Sequence, residues 1–217
     1  MPRLLIIAIL ALSTMFPSMA LATAQIPDRI LIDGQDYALN TNPLTPRLVA
    51  SGWLPPKEAM VSSANWRGYT ASWEIADGKL VLRDATILVA GEEPGDYTPK
   101  SILGDLFPSA AAPVVADWYS GALIVPDGEM THYVHMGYGS SYERYQVLRI
   151  VAGRVVEHVR LSADEFERYK ADKFEAFTAT EEYRKSLEEL REQGDALSDE
   201  QLRNFMMSYY AEQYLSL

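Results

Sequence analysis

The chain has 217 residues, of which 48% are hydrophobic and 23% charged, and a formal net charge of −11. That hydrophobic content supports a packed core and argues against disorder, while the acidic balance argues against nucleic acid or an anionic membrane surface as partner. There is no cysteine, which excludes disulfides, thiolate metal sites and cysteine nucleophiles.

Residues 1–24 read as a signal peptide. Arg3 supplies the positive start, Leu4 to Leu12 is an unbroken apolar run, and Ala22-Thr23-Ala24 fits the small-x-small cleavage rule. Ala20-Leu21-Ala22 is a second cleavage candidate two residues earlier. The run is far shorter than the ~20 residues that span a bilayer, and no later stretch is apolar enough, so no membrane span is expected after cleavage. An exported chain without disulfides points to a bacterial source, and to a periplasmic or secreted protein. Cleavage after Ala24 leaves residues 25–217, read as a single α+β domain. It removes one cation and makes the balance slightly more acidic.

Ile30-Leu31-Ile32 is a short strand, Asp33-Gly34 turns it, and Tyr37-Ala38-Leu39 returns. Residues 42–56 are rich in proline and turn formers and read as an ordered loop. The clearest hairpin runs from Trp66 to Leu88. Tyr69, Ala71, Trp73 and Ile75 alternate with Gly68, Thr70, Ser72 and Glu74, the period of a strand with one buried face. Asp77-Gly78 supplies a type I′ turn, which pairs Ile75 with Leu80 and Trp73 with Leu82. It sets Ser72 opposite Arg83, with Glu74 one diagonal away.

Residues 91–113, with four prolines and three glycines, read as a long connection holding at most a short helix. Val114 to Val125 and Met130 to Met136 are strand candidates, separated by Pro126-Asp127-Gly128. A glycine-rich aromatic loop follows at residues 137–142. A second hairpin spans Tyr145 to Leu161. A three-residue loop at Ala152-Gly153-Arg154 gives Val151 with Val155, Ile150 with Val156, Arg149 with Glu157, Leu148 with His158 and Val147 with Val159. A two-residue loop would set Leu148 against Glu157, so the longer loop is expected.

At Ser162 the period becomes helical. Ser162 and Glu165 form a capping box, and Phe166, Tyr169, Phe174 and Phe177 mark one face. Thr180 caps a second helix with Tyr183, Leu187 and Leu190, which Gly194 stops. Ser198 and Gln201 open a third, with Leu202, Phe205, Met206, Tyr209 and Tyr210 inward. Half of the 30 acids lie from Glu157 onward, the pattern of solvated helix faces. The fold class is α+β: an antiparallel sheet of hairpins over residues ~30–161, with C-terminal helices over ~163–215 packed on one face or end.

No catalytic motif names a reaction. There is no Gly-x-Ser-x-Gly elbow, and Gly137-Tyr138-Gly139 lacks the third glycine of a dinucleotide fingerprint. No cofactor is implied. His132 and His135 are weak metal candidates, because residues three apart on a strand face opposite ways. His158 reads as structural. The stronger signal is aromatic. Trp66-Arg67-Gly68-Tyr69 and Asp117-Trp118-Tyr119-Ser120-Gly121 combine rings, charge and glycine, the composition of binding hot spots. Trp66, Arg67, Asp117, Trp118 and Tyr119 are therefore the candidate binding residues. Trp66 leads, lying on the face opposite the core residues Tyr69 and Trp73.

Asn40-Thr41-Asn42-Pro43-Leu44, Asn65-Trp66-Arg67-Gly68-Tyr69-Thr70-Ala71-Ser72-Trp73-Glu74-Ile75, Leu80-Val81-Leu82 and Ala116-Asp117-Trp118-Tyr119-Ser120-Gly121-Ala122-Leu123 resemble motifs of an uncharacterised group of bacterial proteins. The resemblance covers roughly residues 30–160, leaves out the helical third and implies no known activity. The expected function is a non-catalytic exported binding protein, of inhibitor or immunity type, engaging a cationic protein. The alternatives are an envelope-directed hydrolase and a small-ligand or glycan binder. A deep pocket gathering His132, Asp117 or Glu74 would favour the enzyme, and a flat acidic-aromatic face the protein binder.

Overall fold

The computed structural model describes residues 23–93, 95–109, 113–193 and 197–217. The expected signal peptide, apart from its last two residues, and the expected helix stop at Gly194 lie outside them.

The first hairpin forms as its pattern dictates: β1 (Asp28–Ile32) and β2 (Gln35–Leu39) join at Asp33-Gly34. The Pro-rich stretch after it is not wholly a loop. It holds a short helix, α1 (Thr45–Ser51), begun by a proline in its first turn and ended by Gly52 in the left-handed conformation. The second hairpin is β3 (Thr70–Ala76) with β4 (Lys79–Ala90), turning at Asp77-Gly78 and pairing Ile75 with Leu80 and Trp73 with Leu82. Ser72, however, pairs with Asp84 rather than Arg83. The register shifts between Ser72 and Trp73, and Arg83 is the bulged residue, forming an ion pair with Glu74.

The connection after Ala90 is more structured than its composition suggests. β5 (Tyr97–Ser101) pairs with the outer half of β4, and a helical turn, α2 (Leu103–Leu106), follows. β5 is exposed along its whole length and carries Pro99, a residue tolerated on edge strands. Of the next candidate strand only β6 (Val114–Val115) and the part from Gly121 are extended. β7 (Gly121–His132) runs straight through Pro126-Asp127-Gly128, which was expected to end it. Pro126 sits opposite Tyr145 in the ladder to β8 (Ser141–Val151), and the register shifts absorbing the extra residues come after Asp127.

β9 (Arg154–Ser162) completes the last hairpin. Its turn has two residues, Ala152 and Gly153, both at positive φ, so Val151 meets Arg154 and Ile150 meets Val155. Val156 then bulges out. This restores the expected Arg149–Glu157, Leu148–His158 and Val147–Val159 pairs. The turn was one residue shorter than expected because a bulge satisfies the same charge and apolar matching.

The strand order is β2-β1-β3-β4-β9-β8-β7, with β5 and β6 also on β4. Among the described strands the β1–β3 pair is the parallel one, and an isolated parallel bridge joins Ala24 to Gly137. β4 and β9 meet at a single register pair, Lys79 with Arg154, braced by Leu80 N–H to Gly153 O and Val155 N–H to Gly78 O. At the far end the Asn40 amide donates to the Ile124 carbonyl at 2.8 Å. The two ends of the strand order therefore approach each other, and the sheet curls around its own interior.

That interior is the larger core, built on Ile30, Trp73, Leu82, Leu123, Leu148 and Ile150. The alternate residues of β7 and β8, among them Ala122, Ile124, Tyr145 and Val147, face outward into a second core. The helices cover it: α3 (Ala163–Thr178), α4 (Glu181–Gln193), α5 (Asp199–Tyr209) and α6 (Ala211–Tyr214). Both capping boxes form as expected, and Thr180 Oγ1 accepts from the Tyr183 amide. On α5, Leu202 and Met206 are buried, but Phe205 and Tyr209 are exposed, so its apolar face is narrower than its spacing implied. The architecture is α+β, with the C-terminal helices α3 to α6 on one outer face of the sheet.

Candidate functional site

The tryptophan-rich motif has a structural centre that its spacing does not reveal. Asp28 is fully buried and its carboxylate accepts from Arg67 Nη1 (2.9 Å), the Ala71 amide (3.0 Å) and Trp73 Nε1 (3.1 Å). Arg67 Nη2 donates to the Ile26 carbonyl at 2.8 Å, and the guanidinium lies over the Tyr69 ring. Tyr69 Oη in turn reaches Thr45 Oγ1 at 2.7 Å. Burial pushes the Asp28 carboxyl up, and Arg67 with the two N–H donors opposes that shift. All three donors face an acceptor, so Asp28 is held as a carboxylate.

Next to this cluster lies a cavity of about 710 Å³. Its floor is the outer face of β7 and β8 at Ile124 and Tyr145. One wall is the Asn40–Asn42 segment with Arg67, another the β7–β8 loop from Val134 to Ser141, and the third is helical, from Phe166 and Lys170 on α3, Met207 on α5, and Glu212 and Tyr214 on α6. Gln25 and Trp66 also line it. Tyr138 Oη donates to Asn42 Oδ1 at 2.9 Å, pinning the loop to the Asn-Pro-Leu segment. Its hydroxyl is pushed up to about 12, chiefly by burial, with Arg67 opposing.

Glu212 is pushed above the usual carboxylate range chiefly by burial, with hydrogen bonds from Tyr119 and the Asn42 amide opposing that shift and the charge of Asp28 adding to it. Its Oε1 lies 2.8 Å from Tyr119 Oη, which is also 2.9 Å from the Ala122 carbonyl. Tyrosine has one hydroxyl hydrogen. The Tyr119 hydroxyl therefore shares its one hydrogen between the Ala122 carbonyl and Glu212 Oε1.

The five expected binding residues separate. Trp66 is 65% exposed at the cavity wall, the position expected of a binding ring. Arg67 lines the same cavity, but as a 5% exposed member of the Asp28 ion pair and not as a surface cation. Tyr119 is buried, so its ring is not presented to a partner. Trp118 stacks on Phe107 at 5.3 Å and donates from Nε1 to the Pro43 carbonyl, an internal brace outside the cavity. Asp117 is exposed and away from the cavity. His132 and His135 are exposed, and among the described residues no group of three His, Asp or Glu side chains could hold a metal ion. His158 sits within the β8–β9 hairpin with Nε2 2.8 Å from Gln146 Oε1.

Thr41, Asn42, Tyr138 and Glu212 were not expected at a site. Thr41 and Asn42 belong to the Asn-Pro-Leu motif and Tyr138 to the aromatic loop, but nothing local marks Glu212, which is one acid among many on the helices. Against protein-family models, curated proteins and solved structures alike, the chain gives no match.

Proposed function

We propose that this is an exported, non-catalytic protein that binds a small molecule in the cavity between the sheet and the C-terminal helices. The cavity carries this reading. Its volume falls within the ~300–1,000 Å³ typical of ligand sites, and its lining combines apolar and aromatic side chains with polar ones. It gathers neither His132, Asp117 nor Glu74, the residues whose convergence would have favoured a hydrolase. The inward placement of Tyr119 and Trp118 also takes two rings away from an acidic-aromatic surface for a cationic protein.

The test is to purify the exported chain undenatured from its own cell envelope, extract it with organic solvent and identify small molecules by mass spectrometry. The Met207→Trp variant, whose larger ring intrudes on the cavity from α5, serves as the control. A near-stoichiometric compound in the wild type, missing from Met207→Trp, is expected. Identical extracts from the two would overturn the reading.

A further inference from the structure

The charged side chains of the cavity wall are already matched to one another. Arg67 is paired with Asp28 at 2.9 Å, and Lys170 with Glu167 at 2.8 Å. Glu212 is bonded to Tyr119. A charged group entering this space would lose its water and find Arg67 and Lys170 already engaged by their own carboxylates, so that part of its desolvation cost is not returned. Hydrogen-bonding capacity is nevertheless left over. Thr41 is 2% exposed and Arg67 5%, and both line the cavity. Thr41 Oγ1 and Arg67 Nε are buried with no partner among the described residues, as is the acceptor Gln25 Oε1 on the same wall.

Buried polar atoms without partners carry a desolvation cost until something bonds them. Thr41 and Arg67 offer donors, and Gln25 an acceptor. Elsewhere the wall is mixed, but one part of it is apolar and adaptable, formed by Met136, Met207 and the stacked Tyr145–Phe166 pair, whose ring centroids are 4.0 Å apart.

Resting on the ligand-binding reading above, we infer that the cavity takes an uncharged amphiphile. Its head both accepts and donates hydrogen bonds, as a hydroxyl-bearing ester does, against Thr41, Arg67 Nε and Gln25. Its apolar tail lies along the methionines and the Tyr145–Phe166 stack.

The test compares three probes with the same tail, each below its micellar concentration: glyceryl monolaurate, laurate and dodecylamine. Each is titrated calorimetrically into the mature wild-type protein and into Thr41→Val, which keeps the side-chain shape and removes the hydroxyl. Glyceryl monolaurate is expected to bind about tenfold or more tighter than either charged probe, and to lose about tenfold in Thr41→Val. Laurate or dodecylamine binding as tightly as the ester would overturn the uncharged head while leaving the ligand-binding reading in place. Equal ester affinity in Thr41→Val would overturn the placement of the head. Failure of all three probes to bind would overturn this inference, whereas the ligand-binding reading fails on the extraction result.

Discussion

Asp28 and Arg67 bury opposite charges side by side, with side-chain exposures of 0% and 2%. Removing one partner strands the other. Asp28→Leu is expected to cost about 3–5 kcal/mol, while the double change Asp28→Leu/Arg67→Met recovers much of it, because the desolvated charges go together. Urea midpoints of the three proteins check this, and a double variant no better than the single one would contradict it. Glu212 allows a second test. Its raised pKa means that the folded chain holds a proton the unfolded chain releases. The resulting stability is complete below the ordinary value of 4.5 and is lost as pH rises through the folded pKa. Glu212→Gln keeps an acceptor for Tyr119 Oη and cannot ionise. It is expected to match the wild type near pH 4 and to exceed it at pH 7 by about 2–4 °C in Tm, the effect of about 1 kcal/mol in a chain of this size. Melting curves across that range decide it.

Among the elements, the hairpins show how turn chemistry and tertiary contact act separately. Asp77-Gly78 and Ala152-Gly153 are both two-residue turns with positive φ throughout. An alanine at Gly78 meets nothing within 4 Å, so it costs only the left-handed backbone penalty of about 1–2 kcal/mol. The same change at Gly153 places a Cβ 2.8 Å from the Ala116 carbonyl oxygen, where the turn docks on the chain before β7. Gly153→Ala is expected to lower the urea midpoint clearly more than Gly78→Ala, and equal losses would mean that the docking is not tight. Ser72/Trp73 and Arg149/Ile150 are the two places in these hairpins where register shifts. At both, the apolar pairings follow the alternation in the sequence, and the bulged residue is what alternation alone could not place.

For the whole molecule, the decisive feature is that β7 and β8 belong to both cores. All four tryptophans, Trp53, Trp66, Trp73 and Trp118, lie in the strand-rich part before β7, whereas the long helices all follow β9. If the shared strands couple the two cores, tryptophan fluorescence and helical circular dichroism trace one coincident urea transition. That coincidence should persist in Tyr214→Ala, which removes a fully buried ring of the helical core at a cost of about 3–5 kcal/mol. Separate transitions would show that the helices unfold as an independent unit.

Local chemistry in the sequence was enough to determine the α+β class, both capping boxes and the Asp77-Gly78 hairpin. Alternation, caps and turn residues act over a few positions, and their partners lie within the same segment. Trp66 is exposed as expected, but from a turn that ends before β3 begins at Thr70, with Gly68 at positive φ between them, so the strand period did not place it. Only the tertiary structure decided that Arg67 is committed to Asp28, 39 residues away, and that Tyr119 turns inward to Glu212, 93 residues away. It also decided that the Asn40–Asn42 segment, the β7–β8 loop and α6 enclose one cavity. Those contacts depend on the sheet curling until Asn40 reaches Ile124. That closure sums the twist and register of seven strands, and no single stretch of sequence encodes it.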